Sequence, residues 1–529
     1  MTDDMLENYQ SGDFGMLSID WTAIKNQFKV PFIENGITPG YYYCKKGRDI
    51  LRIVQPKLYD IFKNKLSAYD KFALHKKAFK FYSNYIYKKF AIKDLIREGS
   101  IPREKINQLM KEADTYLLPL QLLILMNLDI NHFDNACKTI SQDEFLELLG
   151  MAYELNSIQL NSDSMSEDNN DICLEISKDY IYFFNMSHDY NKRVEKIYSR
   201  KIDYLDFYAY TKCITNEDKK EFVDAFFEDF GIDYYLLMKV LTLLSSEAFL
   251  SQFICIEPSY YCTDKISLIN KIKDNLNCDG IDRTIEFLSL NCDKIRFAKG
   301  EMHDLIPLWE RKTRTERIEI KPIIELNGIV FLCSPIFALC YNEWGSALTQ
   351  LFLPFETGFN KTLKVLKRLR IKVQKDLVNE VFNIFNSRSD FLAEKEVALH
   401  KRFRNADFPE ELGDYDVIAV NKNLKVIFLI ECKCLELSKS VHEVYSKDKH
   451  FFHDNKYKEK FDRRIIYFMD NYHNILRLVF GIDDNSKYKI YPLMIFNKVI
   501  EPIGVDVDFN ITSYHEFKND FPKFIEALK

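Results

Sequence analysis

The stretch GDYDVIAVNKNLKVIFLIECKC, from Gly413 to Cys434, decides how the chain is read, because charged residues bracket two runs with the composition of fully buried strands. Val417 to Val420 and Leu424 to Ile430 are apolar and rich in β-branched residues, and the polar Asn421-Lys422-Asn423 between them predicts a hairpin covered on both faces. Asp414 and Asp416 stand at the entrance of the first strand, and Glu431 and Lys433 at the exit of the second. All four therefore gather at one end. Period-two alternation sets Glu431 and Lys433 on one face, about 7 Å apart along the strand, with Cys432 and Cys434 on the other. For the four charged residues to share a face, paired positions must sum to an odd number. Pairing Val420 with Lys425 satisfies this and sets Asp414 across from Glu431, with Asp416 diagonal to it at about 7 to 8 Å.

Charges converging on an apolar strand end are costly unless compensated. One compensation is a buried salt bridge from Lys433 to Glu431 or Asp416. The other is a divalent cation between the carboxylates, and oxygen donors favour Mg²⁺ (or Mn²⁺), which keeps several waters of its own. Lys433 would then orient or deprotonate an attacking water and offset charge on a phosphorane-like transition state. This chemistry is phosphodiester hydrolysis.

The order Asp416, strand, Glu431-Cys432-Lys433 resembles the PD-(D/E)XK nuclease superfamily, and GDYDVIAV followed by IECK looks like the matching segments of Holliday-junction-resolvase-like and Mrr-like members. The resemblance reaches at most from Phe352 to the C-terminus. It implies a restriction-endonuclease-like α/β domain with a central mixed sheet flanked by helices. It also implies Asp416, Glu431 and Lys433 as the catalytic set, Asp416 and Glu431 as metal ligands, and Asp414 as a supporting or second-metal ligand. Many members carry a glutamate on the helix before the first strand. Glu380 fits by its separation from Asp416, although LVNEVFNIF departs from the commoner FExxV pattern. If Phe391 to Phe403 is a helix rather than the strand assigned here, Glu396 takes that place. The implied activity is metal-dependent cleavage of nucleic acid, double-stranded DNA first. An RNase with the same core and a catalytically silent module that docks nucleic acid or protein are the alternatives. Cutting both strands of a duplex calls for two sites, hence an expected homodimer.

Composition bounds the rest. A chain of 529 residues with 47% hydrophobic content is too long for one core and predicts a mainly helical amino-terminal region followed by the α/β domain. The expected division is 1–160 (mostly helical), 172–350 (α-rich mixed) and 352–529 (nuclease-like), with the acidic NSDSMSEDNND at 161–171 as the boundary. The longest apolar run, Tyr116 to Met126, is too short to span a bilayer, and the acidic start MTDDMLENYQ lacks the features of a secretory signal. Twelve cysteines without metal-ligand spacing read as reduced thiols in a cytoplasmic protein. The formal charge of −6 is uneven: roughly +3 from Phe352 onward and about −9 before it.

Basic residues supply candidate phosphate contacts. Lys361, Lys364, Arg368, Lys372 and Lys375 recur at helical spacing between Lys361 and Phe385, and Lys456, Lys458, Lys460, Arg463 and Arg464 open a later helix. Of these, Lys364, Arg368, Lys456, Lys458, Arg463 and Arg464 are the expected nucleic-acid contacts. No GxxxxGK[ST] or GxGxxG motif occurs. A nuclease behind a large helical region resembles the layout of prokaryotic defence effectors, with the amino-terminal part sensing a trigger or binding a partner protein.

Overall fold

A computed structural model of the chain describes residues 18–98, 103–129, 138–165, 171–188, 191–192, 213–257, 260–299, 315–355, 360–404, 408–436, 450–498, 500 and 507–528. The chain divides into two compact units. One gathers Met1–Asn191, Phe222–Ala347 and Leu353–Leu363, the other Lys192–Glu221, Leu348–Phe352 and Lys364–Lys529.

The first unit is multi-helical with two sheets. Helices Cys44–Leu66 and Lys71–Glu98 follow one another closely. Asp70 interrupts them because its carboxylate accepts the Ala73 amide at 2.6 Å, capping the second. Most of 1–160 and of 172–350 falls within this one unit, while 192–221 and 348–350 belong to the other. Strand Ile172–Ile176, beyond the acidic stretch, pairs antiparallel with Gly40–Tyr43. The Phe331 ring lies 4.6 Å from that of His75 and 5.4 Å from that of Phe72, so the early helix Lys71–Glu98 shares a core with a late strand. The acidic stretch is no free linker at its start: the helix Gln142–Ser164 runs into it, and Asn161, Ser162 and Met165 are buried, because composition carries no record of where a segment finds its partners. Asn327 and Gly328 both adopt positive φ, 52° and 77°, in the two-residue turn joining Ile323–Leu326 to Ile329–Cys333, as an Asn-Gly pair favours. No helix among the described residues is long and apolar enough to cross a membrane.

The second unit is a three-layer α/β assembly. Its strands are β1 (Leu392–Val397), β2 (Tyr415–Asn421), β3 (Val426–Lys433), β4 (Lys489–Phe496) and β5 (Asn510–Ser513), in sheet order β5-β4-β3-β2-β1. The first three pair antiparallel, and β4 and β5 add parallel to β3. A parallel step needs a long crossover, and α2 (Tyr457–Phe480) lies within it; α1 (Asn360–Asn386) precedes the sheet and α3 (Tyr514–Leu528) closes the chain. Alternation along β2 and β3 builds the two cores. Ile418, Val420, Ile427 and Leu429 meet Phe461, Ile465 and Phe468 of α2. On the other face Val417, Ala419, Phe428 and Ile430 meet Leu377, Val381 and Phe385 of α1 and Phe517 and Phe521 of α3. Both central strands are buried on both faces, so the ladder can end only where charges begin.

Candidate functional site

The β2–β3 register has the expected parity but is displaced by two residues: Val420 faces Ile427, not Lys425. The turn is the cause. The Asn421 side-chain oxygen accepts the amides of Asn423 (3.1 Å) and Leu424 (3.0 Å), which wraps a four-residue loop that ends with Lys425 at φ 52°. Continued by one step, this register sets Asp416, not Asp414, directly across from Glu431. An Asp416 carboxylate oxygen accepts the Cys432 amide at 2.7 Å, which ties the two strand ends together.

The four charged residues line one cleft of about 380 Å³ with Gln374, Lys375, Glu396, Glu411, Tyr457, Lys460, Arg463 and Arg464. Gly413 turns the chain into β2 at φ 71°, a conformation that suits glycine and brings Glu411 and Asp414 to the same rim. At the other strand end Asn497, fully buried, accepts the Leu435 amide at 2.7 Å and donates to the Leu435 carbonyl at 3.0 Å, which fixes the path of the chain just after Lys433.

Burial sets the electrostatics. Asp416 is 8% exposed and Glu431 3%. Burial first, and the adjacent Glu431 charge second, push the Asp416 carboxyl up to about 7. Lys433 lies 2.5 Å from Glu431. Burial acts against its ammonium, but the charges of Glu431 and Asp416 outweigh it and the group is held above its ordinary value. Lys433 is therefore an ammonium at neutral pH. An ammonium donates hydrogen bonds and offsets negative charge but has no lone pair with which to take a proton.

Arg464 is the residue whose role the sequence misassigns. Expected as a nucleic-acid contact, it is buried and holds Glu431 with both arms of its guanidinium, at 2.7 and 3.2 Å, while donating to the Asp414 carbonyl at 2.6 Å. The signal was present: Arg464 falls three residues after Phe461 and four before Phe468, within the apolar stripe of α2.

The other expected residues divide. Glu380 is not among the cleft-lining residues; its carboxylate accepts the Tyr514 hydroxyl at 3.0 Å. Phe391 to Phe403 contains the assigned strand, as β1, followed by one short helical turn, Leu399–Arg402. Yet Glu396 lines the cleft from that strand, at φ 50°, beside Asp416 across the ladder. Arg368 does not present a basic face: it pairs with Asp218 (3.3 Å) and Glu221 (2.5 Å), and Lys372 pairs with Asp218 (2.6 Å). Lys364 is exposed but outside the cleft, and only Lys375 of that helical stripe lines it. Lys458 pairs with Asp462 at 2.7 Å and Lys456 approaches Glu459 at 3.9 Å, whereas Lys460 and Arg463 stand exposed on the rim.

Among the described residues no three His, Cys, Asp or Glu side chains are grouped to hold a metal, so Asp414, whose exposed side chain only lines the cleft, does not complete a cage with Asp416 and Glu431. What remains is a pair of buried carboxylates lining the cleft. That donor set fits Mg²⁺ or Mn²⁺, which accept one or two carboxylates and fill the other positions with water and phosphate oxygens.

No protein-family model, curated protein or solved structure matches the chain.

Proposed function

We propose that the second unit is a metal-dependent nuclease with a PD-(D/E)XK core, acting on DNA. The observation that carries this reading is the row at the end of β2 and β3: Asp416 opposite Glu431, Lys433 next along the same face, all three opening into a cleft rimmed by exposed cations. Asp416 and Glu431 would hold the ion, which supplies Lewis-acid polarisation of a phosphate oxygen and acidifies water. The ammonium of Lys433 orients the attacking water and offsets charge that develops on the phosphoryl oxygens. Lys375, Lys460 and Arg463 hold the phosphate backbone at the rim, where solvated cations steer and position without reading sequence.

A second reading is favoured by one observation. Arg464 and Lys433 together offset Asp416 and Glu431, so the cluster is neutral without any metal and could serve only as a buried ionic tie within a nucleic-acid or protein docking module. Incubation of wild type and Lys433→Ala with supercoiled plasmid, linear duplex, single-stranded DNA and RNA, with Mg²⁺, Mn²⁺ or EDTA, separates the readings. Metal-dependent cutting by wild type alone supports the nuclease, and the substrate cut distinguishes DNase from RNase. Equal binding of nucleic acid by both proteins with no cleavage supports the docking module.

A further inference from the structure

Resting on the metal-dependent reading above, we propose that Arg464 is an internal counter-ion: it occupies Glu431 when the site holds no metal and competes with the entering cation for that carboxylate. The geometry is the argument. Arg464 is buried and contacts both oxygens of Glu431, at 2.7 and 3.2 Å, while Lys433 takes one of the same oxygens at 2.5 Å. Glu431 thus meets three hydrogen-bonding contacts from two cations. A carboxylate held by both arms of a guanidinium is fixed in orientation, which suits a ligand that must be ready in place. The same guanidinium places a unit positive charge next to the site a divalent ion would fill, which opposes entry of that ion.

The third contact of Arg464 ties the roles together. Its arm to the Asp414 carbonyl, at 2.6 Å, links the entrance of β2 to the exit of β3, and the Tyr415 hydroxyl donates to the Arg464 carbonyl at 3.2 Å. Arg464 is therefore a positioning residue. It keeps two like-charged strand ends together without metal, at the expense of metal affinity.

The test is calorimetric titration of the full chain with MnCl₂, at constant ionic strength, for wild type, Arg464→Met, Arg464→Gln and Arg464→Lys. Removing the charge should tighten Mn²⁺ binding by roughly tenfold in the Met and Gln variants, the order expected for one unit charge beside a divalent ion. Arg464→Lys keeps the charge and should stay within about threefold of wild type on the same basis. A purely structural role predicts the opposite sign, because a loosened Glu431 binds metal less well. If Arg464→Met does not fold, as judged by circular dichroism, Arg464→Gln carries the comparison. Equal or weaker Mn²⁺ binding in a folded charge-removed variant overturns the counter-ion role and leaves the metal site standing. No Mn²⁺ binding by wild type overturns both.

Discussion

Replacing Asp416 by Asn should make the metal-free protein more stable while abolishing the proposed metal-dependent cleavage. Asp416 is held at about 7 from an ordinary 3.8, by burial and by the neighbouring charge of Glu431. A carboxyl raised in the folded state binds its proton there more tightly than in the unfolded chain. Stability therefore falls as pH rises from about 4 to about 7, and the full penalty is present above that. A rise from 3.8 to about 7 corresponds to about 4 kcal/mol. Asn has nearly the same shape and can still accept the Cys432 amide through its carbonyl oxygen, so the substitution removes the charge and keeps the tie between strands. The assay is urea unfolding in EDTA at pH 5 and pH 8, followed by hydrogen exchange of the β2 and β3 amides so that the second unit is read by itself. The stability of wild type should drop between the two pH values by a few kcal/mol more than that of Asp416→Asn. Parallel behaviour of the two proteins, or a variant less stable at pH 8, would refute the picture of two buried carboxylates in mutual repulsion. A residue whose removal stabilises the fold and ends activity is expected of a site under functional constraint.

Lys433→Met should lower cleavage by about 10² to 10³, the range for loss of one preorganised charge-stabilising group, with nucleic-acid binding retained; unimpaired cleavage removes Lys433 from the mechanism. Arg463→Ala and Lys460→Ala should each weaken DNA binding and reduce its dependence on salt concentration, because each side chain is exposed on the cleft rim. Arg368→Ala should leave binding unchanged, since that guanidinium already pairs with Asp218 and Glu221; fluorescence-anisotropy titrations at several salt concentrations decide both points. His75 is fully buried with neither ring nitrogen hydrogen-bonded, and burial, aided by the nearby Lys71 charge, lowers it from 6.5 to about 3. The unfolded chain takes up that proton below 6.5, so this contribution to stability is present above 6.5 and lost as pH falls toward 3. His75→Phe should flatten the acid limb of a stability profile, and an unchanged limb would show that other groups set it.

The candidate site was legible in the sequence because charge is expensive next to buried strands. Asp414, Asp416, Glu431 and Lys433 stand out in GDYDVIAVNKNLKVIFLIECKC for that reason; period-two alternation assigns each strand's pair to one face, and the parity of the register joins the two pairs. The order of helix, strand and hairpin from Asn360 to Lys433 was readable from local periodicity.

The folded structure decided the rest, through one local turn and through partners distant in the chain. Asn421 folded its side chain over a four-residue loop, which moved the register by two and put Asp416 rather than Asp414 opposite Glu431. Glu380 turned to Tyr514, 134 residues away, while Glu396 reached the cleft from a strand. Arg368 and Lys372 were taken up by acids about 150 residues earlier. Arg464 was drawn under the sheet by a carboxylate 33 residues before it. A sequence states which side chains are charged and at what local period they recur. Which opposite charge each one meets is set by the pairing of strands and the packing of helices, and that pairing determines whether a cation binds a ligand, holds a carboxylate in place, or is spent on the fold.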